Sequence, residues 1–161
     1  MDYLWTPWRY NYVTNAAPVS GCVFCNAAQG NDDRETLIVH RADRNFVILN
    51  RFPYTNGHVM VVPYEHLGGL EQMPDNTLVE MMRLAREADR HLRALYRPDG
   101  LNLGMNLGRS AGAGIADHVH MHVLPRWIGD TNFMTVTGET RVLPEALPLT
   151  WEKLSGAFAG R

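Results

Sequence analysis

Residues 36–64 read TLIVHRADRNFVILNRFPYTNGHVMVVPY, and the fold turns on them. Three short apolar runs, TLIVH, NFVILN and HVMVVPY, are separated by RADR and RFPYTNG, two stretches of turn chemistry. Runs of this length and spacing predict β-strands, and three in succession predict an antiparallel meander. Downstream the period changes. Leu78, Met81, Met82, Ala85, Ala88, Leu92 and Leu95 recur at steps of three and four, as on one face of an amphipathic helix. Asp75 or Thr77 is placed to cap its start, RPDG ends it, and the methionines of the stripe read as core packing.

Beyond the helix, LNLGMNLG predicts a fourth strand, the glycine-rich RSAGAG a loop, and GIADHVHMHVLPRW a fifth strand. The order βββ, helix, ββ predicts an α+β domain with helices on one face of an antiparallel sheet. The 161 residues suit a single domain, 1–161, with an aromatic and proline-rich arm over 1–17 (Trp5, Pro7, Trp8, Tyr10, Tyr12), a core over 20–135 and a tail over 136–161. A formal net charge of −2 and scattered basic residues argue against a nucleic acid polymer as partner. No apolar run reaches the roughly 18 residues of a membrane span, and MDYLWTPWRY lacks the pattern of a secretory signal. The expectation is a soluble, cytoplasmic protein.

The fifth strand carries the chemistry. His118, His120 and His122 occupy alternate positions, so on a strand they share one face while Val119, Met121 and Val123 share the other. Three such residues span about 13 Å, too far for one ion to draw in both outer rings, so they are expected to do different work. The only cysteines, Cys22 and Cys25, form a CxxC with no preceding strand, which disfavours a thioredoxin-like redox pair and favours a metal corner. Of the other histidines, His91 lies within the helix and His40 before a charged turn. His66, just past HVMVVPY, and His118, at the start of the histidine strand, are the pair that could close a Cys₂His₂ tetrahedron; such a site has no open position, so its zinc would be structural. His120 is then left free on the solvent face beside RSAGAG, whose glycines let backbone amides turn toward an anion. A neutral imidazole next to a phosphate nest is a candidate nucleophile toward phosphorus.

HVHMHVL, residues 118–124, resembles the signature of the histidine triad (HIT) family, His-φ-His-φ-His-φ-φ. LNRFPYTNGHVMVVPYEH is similar to that family's preceding hairpin and GMNLGRSAGAG to its phosphate loop, so the likeness extends over roughly residues 20–135. It implies an antiparallel sheet of about five strands with one long and one shorter helix on a face. It implies nucleotidyl transfer or hydrolysis at the α-phosphate of a nucleotide, with His120 as nucleophile, His122 in the hydrogen-bonding network around the phosphate and His58 orienting the nucleophile. Asn50 matches the ribose position, Ile48 the base pocket and Asn106 a polar residue beside the phosphates; Gly112, Ala113 and Gly114 would offer backbone amides. Zinc on Cys22, Cys25, His66 and His118 matches the pattern of many bacterial members, in agreement with the spacing argument.

LWTPWRYNYV, HVLPRWIGDTNFM and TRVLPEAL look most like the bacterial branch that cleaves diadenosine tetraphosphate with inorganic phosphate. The alternatives are a hydrolase of dinucleoside polyphosphates or nucleoside phosphoramidates, and a nucleotide-binding module without turnover. The family is usually dimeric through the long helix and an adjoining strand, so a homodimer is expected. Two departures stand out: Gly114 and Ile115 replace a hydroxyl or amide side chain of many relatives, and the loop from Asn106 to His118 is one residue longer.

Overall fold

The computed structural model describes residues 21–131 and 144–160; the expected arm over 1–17 lies outside them. Helix α1 (Val23–Gln29) and the short α2 (Asp33–Thr36) lead into the strands β1 (Ile38–Arg41), β2 (Asn45–Leu49) and β3 (Val59–Pro63). The long helix α3 (Asp75–Tyr96) follows, then β4 (Gly100–Gly104), β5 (Met121–Arg126) and a closing helix α4 (Leu147–Phe158). The strands form one antiparallel sheet in the order β1-β2-β3-β5-β4, with the predicted meander at one side. Among the described residues no helix is long and apolar enough to cross a membrane.

Every residue of β2 and β3 is buried, because both faces of these central strands are covered. On one face Val47, Leu49, Val59, Val61 and Val123 pack against Met81, Leu84, Ala85, Ala88 and Leu92 of α3 and Leu154 of α4. On the other, Ile38, Phe46, Ile48, Met60 and Val62 pack beneath Phe24 of α1. Strand β5 instead alternates between buried and partly open, and its open side carries His122, Leu124 and Arg126. The register places Ile38, Ile48, Met60, His122 and Gly104 in one row across the sheet.

Three sequence readings are corrected. The buried stripe of α3 is Thr77, Met81, Leu84, Ala85, Ala88 and Leu92; Leu84 joins it, Leu78 is half-buried, and Met82 and Leu95 are exposed at 54% and 39%. At the helix start the N-cap is Pro74 without a side-chain cap bond; Asp75 lies inside the first turn, where its charge complements the helix dipole, and the Thr77 hydroxyl is buried. The histidine strand begins at Met121, so His118 and His120 stand in the segment leading into it, and the fourth strand stops at Gly104. The part of the tail past Leu147 is a helix, bound to the sheet by Leu154 and by the Trp151 indole N–H donating to the Ile38 carbonyl at 2.8 Å.

Candidate active site

The connection from β2 to β3 positions the first histidine. The Asn50 N–H donates to the His58 carbonyl at 3.0 Å, and the Thr55 hydroxyl ties the loop to the Pro125 carbonyl of β5 at 2.9 Å. Gly57 turns the chain with φ of 76°; a Cβ there would lie 2.8 Å from a Leu92 methyl, so both the backbone angle and the approach of α3 require glycine. His58 is thereby buried at 1% exposure, with its ring beside Tyr54 and His122.

Hydrogen-bond partners assign the tautomer of each ring. The Tyr54 N–H donates to His58 Nδ1 at 3.1 Å, so in neutral His58 the proton is on Nε2. That Nε2–H faces His122 Nδ1 at 2.9 Å, which puts the His122 proton on its own Nε2. His120 Nδ1 lies 2.9 Å from the His118 carbonyl, which only accepts, so its Nδ1 carries the proton and Nε2 the lone pair. His118 Nε2–H likewise donates to the Pro63 carbonyl at 2.9 Å, leaving its Nδ1 lone pair toward the cysteines. One ring thus presents an acceptor, its neighbour a donor, and the third a ligand atom.

Burial pushes the His120 imidazole below its usual pKa, opposed by the bond to the His118 carbonyl. Burial, and then the nearby His120, push His122 down to about 4. Both rings are therefore neutral near pH 7, as nucleophilic attack and a directed donor require.

His120 differs from the sequence expectation of a ring on the solvent face. It is 5% exposed, with the rings of Phe24 and His122 packed against it at centroid distances of 5.0 and 4.9 Å. Its Nε2 is not among the fully enclosed, unpartnered side-chain atoms of the described residues. A second correction concerns His58, whose bond goes to His122; the group that orients His120 is the His118 carbonyl.

Amides of Ala111, Gly112 and Ala113 donate to the Gly108 and Arg109 carbonyls within the loop, so those of Gly112 and Ala113 are engaged there rather than held open for an anion. The Gly114 amide makes no backbone bond among the described residues. Asn50 Oδ1 accepts the Phe52 N–H at 2.9 Å, which fixes the carboxamide at the end of β2 with its N–H groups as the remaining donors. Ile48 is buried two residues earlier on the same side of the sheet as His122, and Asn106 is partly buried just past β4.

The ligand atoms of Cys22, Cys25, His66 and His118, the residues singled out from sequence, all lie within 4.8 Å of one another, a group that could hold a metal ion. Cys22 Sγ is 3.3 Å from His118 Nδ1, and Cys25 Sγ is 3.3 Å from His66 Nδ1 and 3.7 Å from His118 Nδ1. A tetrahedral zinc with bonds of about 2.3 Å to sulfur and about 2.05 Å to nitrogen separates the two atom types by about 3.6 Å, so the donor set fits. The Pro63 carbonyl orients the His118 ring from behind, as outer-shell partners of metal ligands do.

Sequence reasoning missed Phe24 and Tyr54. Phe24 had a signal in its place between the two cysteines; the Tyr54 hydrogen bond to His58 is made by its backbone N–H and leaves no side-chain signature, although its ring also lies 4.8 Å from His58 and 6.1 Å from His122.

A HIT domain family model matches residues 31–127. The chain is 40% identical over 167 aligned positions to the AP-4-A phosphorylase of Mycobacterium tuberculosis, an alignment spanning 99% of this chain and 85% of that protein. Among solved structures it is similar to a zinc-bound histidine triad family protein from Mycobacterium smegmatis, with 28% identity, a TM-score of 0.70, and coverage of 87% of this chain and 94% of that one. A hypothetical histidine triad nucleotide-binding protein from Sulfolobus tokodaii gives 26% identity and a TM-score of 0.68, covering 86% of this chain and 93% of that one.

Proposed function

The chain belongs to the HIT domain family, and from that premise we propose that it is a nucleotidyl transferase that cleaves diadenosine tetraphosphate by phosphorolysis. The observation that carries this reading is the pair of oppositely assigned neighbouring rings, 4.9 Å apart between centroids, with the lone pair on Nε2 of His120 and the proton on Nε2 of His122. The His120 lone pair forms a bond to the α-phosphorus as the bond to the bridging oxygen breaks, and ATP leaves. An oxygen of inorganic phosphate then attacks the same phosphorus, releases His120 and gives ADP. His122 Nε2–H and the Gly114 amide supply donors where charge builds on the nonbridging oxygens, and their orientation before reaction is the source of the rate gain. Asn50 would hold the ribose and Ile48 the base, with Asn106 beside the phosphates.

Zinc on Cys22, Cys25, His66 and His118 would supply a structural cross-link between α1, the segment after β3 and the lead-in to β5. Four protein ligands leave no position for substrate, which supports a structural role. A homodimer is supported by the exposed apolar residues Val79 and Met82 on α3 and Leu103 on the edge strand β4.

The test is product analysis with diadenosine tetraphosphate, with and without inorganic phosphate. ADP and ATP formed only when phosphate is present is the expected result. AMP with ATP, or two ADP, formed in water alone would replace phosphorolysis by hydrolysis. Full turnover by His120→Asn would remove the nucleophile assignment, and binding without products in wild type would leave only a nucleotide-binding module.

A further inference from the structure

Phe24 stands between the two cysteines of the metal corner in sequence, and between that corner and the nucleophile in space. Its ring, 3% exposed, lies edge-on to His118 with centroids 5.4 Å apart and tilted against His120 at 5.0 Å. We propose that Phe24 is a positioning residue for His120, and that through it the occupancy of the metal corner sets the aim of the nucleophilic nitrogen. This rests on the reading of His120 as the nucleophile.

An imidazole ring is loosely held by its own side-chain torsions. Its second side-chain torsion joins tetrahedral to planar carbon and has broad, shallow wells, so the backbone alone does not fix the direction of Nε2. The His118 carbonyl holds Nδ1 at 2.9 Å, which pins one atom and still lets the ring rock about that contact. Rocking is limited by the two rings packed against it: His122, itself held by His58, and Phe24. Phe24 is the one member of this set that comes from outside the sheet and the segments joined to it.

Helix α1, which carries Phe24, has seven residues and an N-cap, Cys22, without a side-chain cap bond. A helix this short does not persist on its own backbone bonds and needs tertiary attachment. At its C-terminal end Arg41 provides that attachment, donating to the Ala28 carbonyl at 2.8 Å and the Gly30 carbonyl at 3.0 Å. At the N-terminal end the polar attachments among the described residues run through the metal donor set, Cys22 to His118 and Cys25 to His66. An ion held by those four side chains clamps the first turn of α1 to the sheet and presses Phe24 onto His120. Without the ion the clamp on that turn is reduced to the thiol–imidazole contacts and the apolar packing of Phe24, and the ring of His120 gains part of the freedom that Phe24 had removed.

The experiment compares wild type, Phe24→Leu and Phe24→Ala as metal-loaded full-length chains, with metal-free wild type as a fourth sample. Three quantities are read: metal content, the single-turnover rate of nucleotidyl-His120 formation from diadenosine tetraphosphate, and the ¹⁵N signature of the His120 ring. Both variants should keep a full complement of metal. Adduct formation should slow about 10- to 100-fold, the scale expected when a reacting group is misplaced by about 1 Å. The ¹⁵N spectrum should move from one Nδ1–H tautomer toward a mixture, and metal-free wild type should show the same movement. Phe24→Leu keeps an apolar group of similar bulk, so it decides the matter if Phe24→Ala fails to fold. Wild-type adduct rates and an unmoved ¹⁵N spectrum in Phe24→Leu overturn the proposal, as does a rate loss that only tracks lost metal. Absence of any His120 adduct in wild type would end the nucleotidyl transfer reading, whereas the ¹⁵N comparison would still decide whether Phe24 and the metal hold the ring.

Discussion

Replacing His58 with leucine tests whether the donor beside the nucleophile must be oriented in advance. His58 is buried, its Nδ1 takes the Tyr54 N–H at 3.1 Å, and its Nε2–H meets His122 Nδ1 at 2.9 Å. Leucine fills much of the same volume and offers neither contact, so two groups lose their partners. Each unsatisfied polar group in a buried site costs about 1–3 kcal/mol. Tyr54 is partly exposed and its amide can turn to water, so the total falls near the low end, about 2 kcal/mol. For a chain of this size that lowers Tm by about 4–8 °C. The kinetic effect has another origin. With Nδ1 unpartnered, His122 no longer has its proton confined to Nε2 and its ring is free to turn, so the donor is present for only part of the time. Complete loss of a preorganised donor costs about 10²–10³ in kcat, so this partial loss should lower kcat about 10- to 100-fold. KM should stay within about threefold, because the donor acts on charge that develops after binding. Steady-state kinetics with diadenosine tetraphosphate and inorganic phosphate, alongside thermal unfolding and metal analysis, read all three effects. A variant that loses the expected stability yet keeps kcat within twofold of wild type would refute the reasoning, since His58 would then be a packing residue alone.

The remaining predictions concern pH, metal and the closing helix. Burial holds the neutral forms of His120 and His122, so kcat/KM should be level from pH 7 down to about 6.5 and fall only below that ordinary imidazole value; an acid limb centred above 6.5 would contradict the assignment. The His122 ring, with its pKa at about 4 in the folded chain, takes up its proton more readily when unfolded, so its contribution to stability is complete above pH 6.5 and is lost between 6.5 and 4, as acid unfolding monitored by circular dichroism should show. Cys25→Ser should lose metal affinity and unfold at a lower temperature, and strong chelators should destabilise the wild type similarly; a folded metal-free protein indifferent to chelators would remove the structural role. Leu154→Ala, at a fully buried site under the sheet, should cost about 2–5 kcal/mol in urea unfolding while leaving kcat per folded molecule unchanged.

The fold was legible where a residue's neighbours in sequence are its neighbours in space. The strands 38–41, 45–49 and 59–63 pair through short connections, so their apolar runs and the turns between them carried the meander. The closing helix was not legible in the same way. LPLTWEKLSGAF has two residues, Thr150 and Leu154, that are buried only because α3 and β1 lie beneath them, a match made across more than fifty positions of sequence. The shift of the α3 stripe from Met82 to Leu84 has a related cause. Both residues sit at the border of the apolar arc, and the sheet rather than the helix decides which side of that border is covered.

In the site, residue types and spacing were legible, but the direction of each ring was not. His118, His120 and His122 are alike in sequence, and each acquires its chemistry from the partner that holds its other nitrogen. The Pro63 carbonyl turns His118 into a ligand, the His118 carbonyl turns His120 into an acceptor, and His58 turns His122 into a donor. Each partner sits at a point set by the sheet: Pro63 at the end of β3, His58 one residue before β3 begins, and the His118 carbonyl in the lead-in to β5. Because β3 and β5 are neighbours with Met60 opposite His122, the two ends of β3 reach the two outer histidines, and the middle one is left to its own backbone. A shift of one residue in that pairing would turn His122 to the helix face and break the relay from Tyr54. The register of β3 against β5 is therefore as much a part of the proposed chemistry as the histidines themselves.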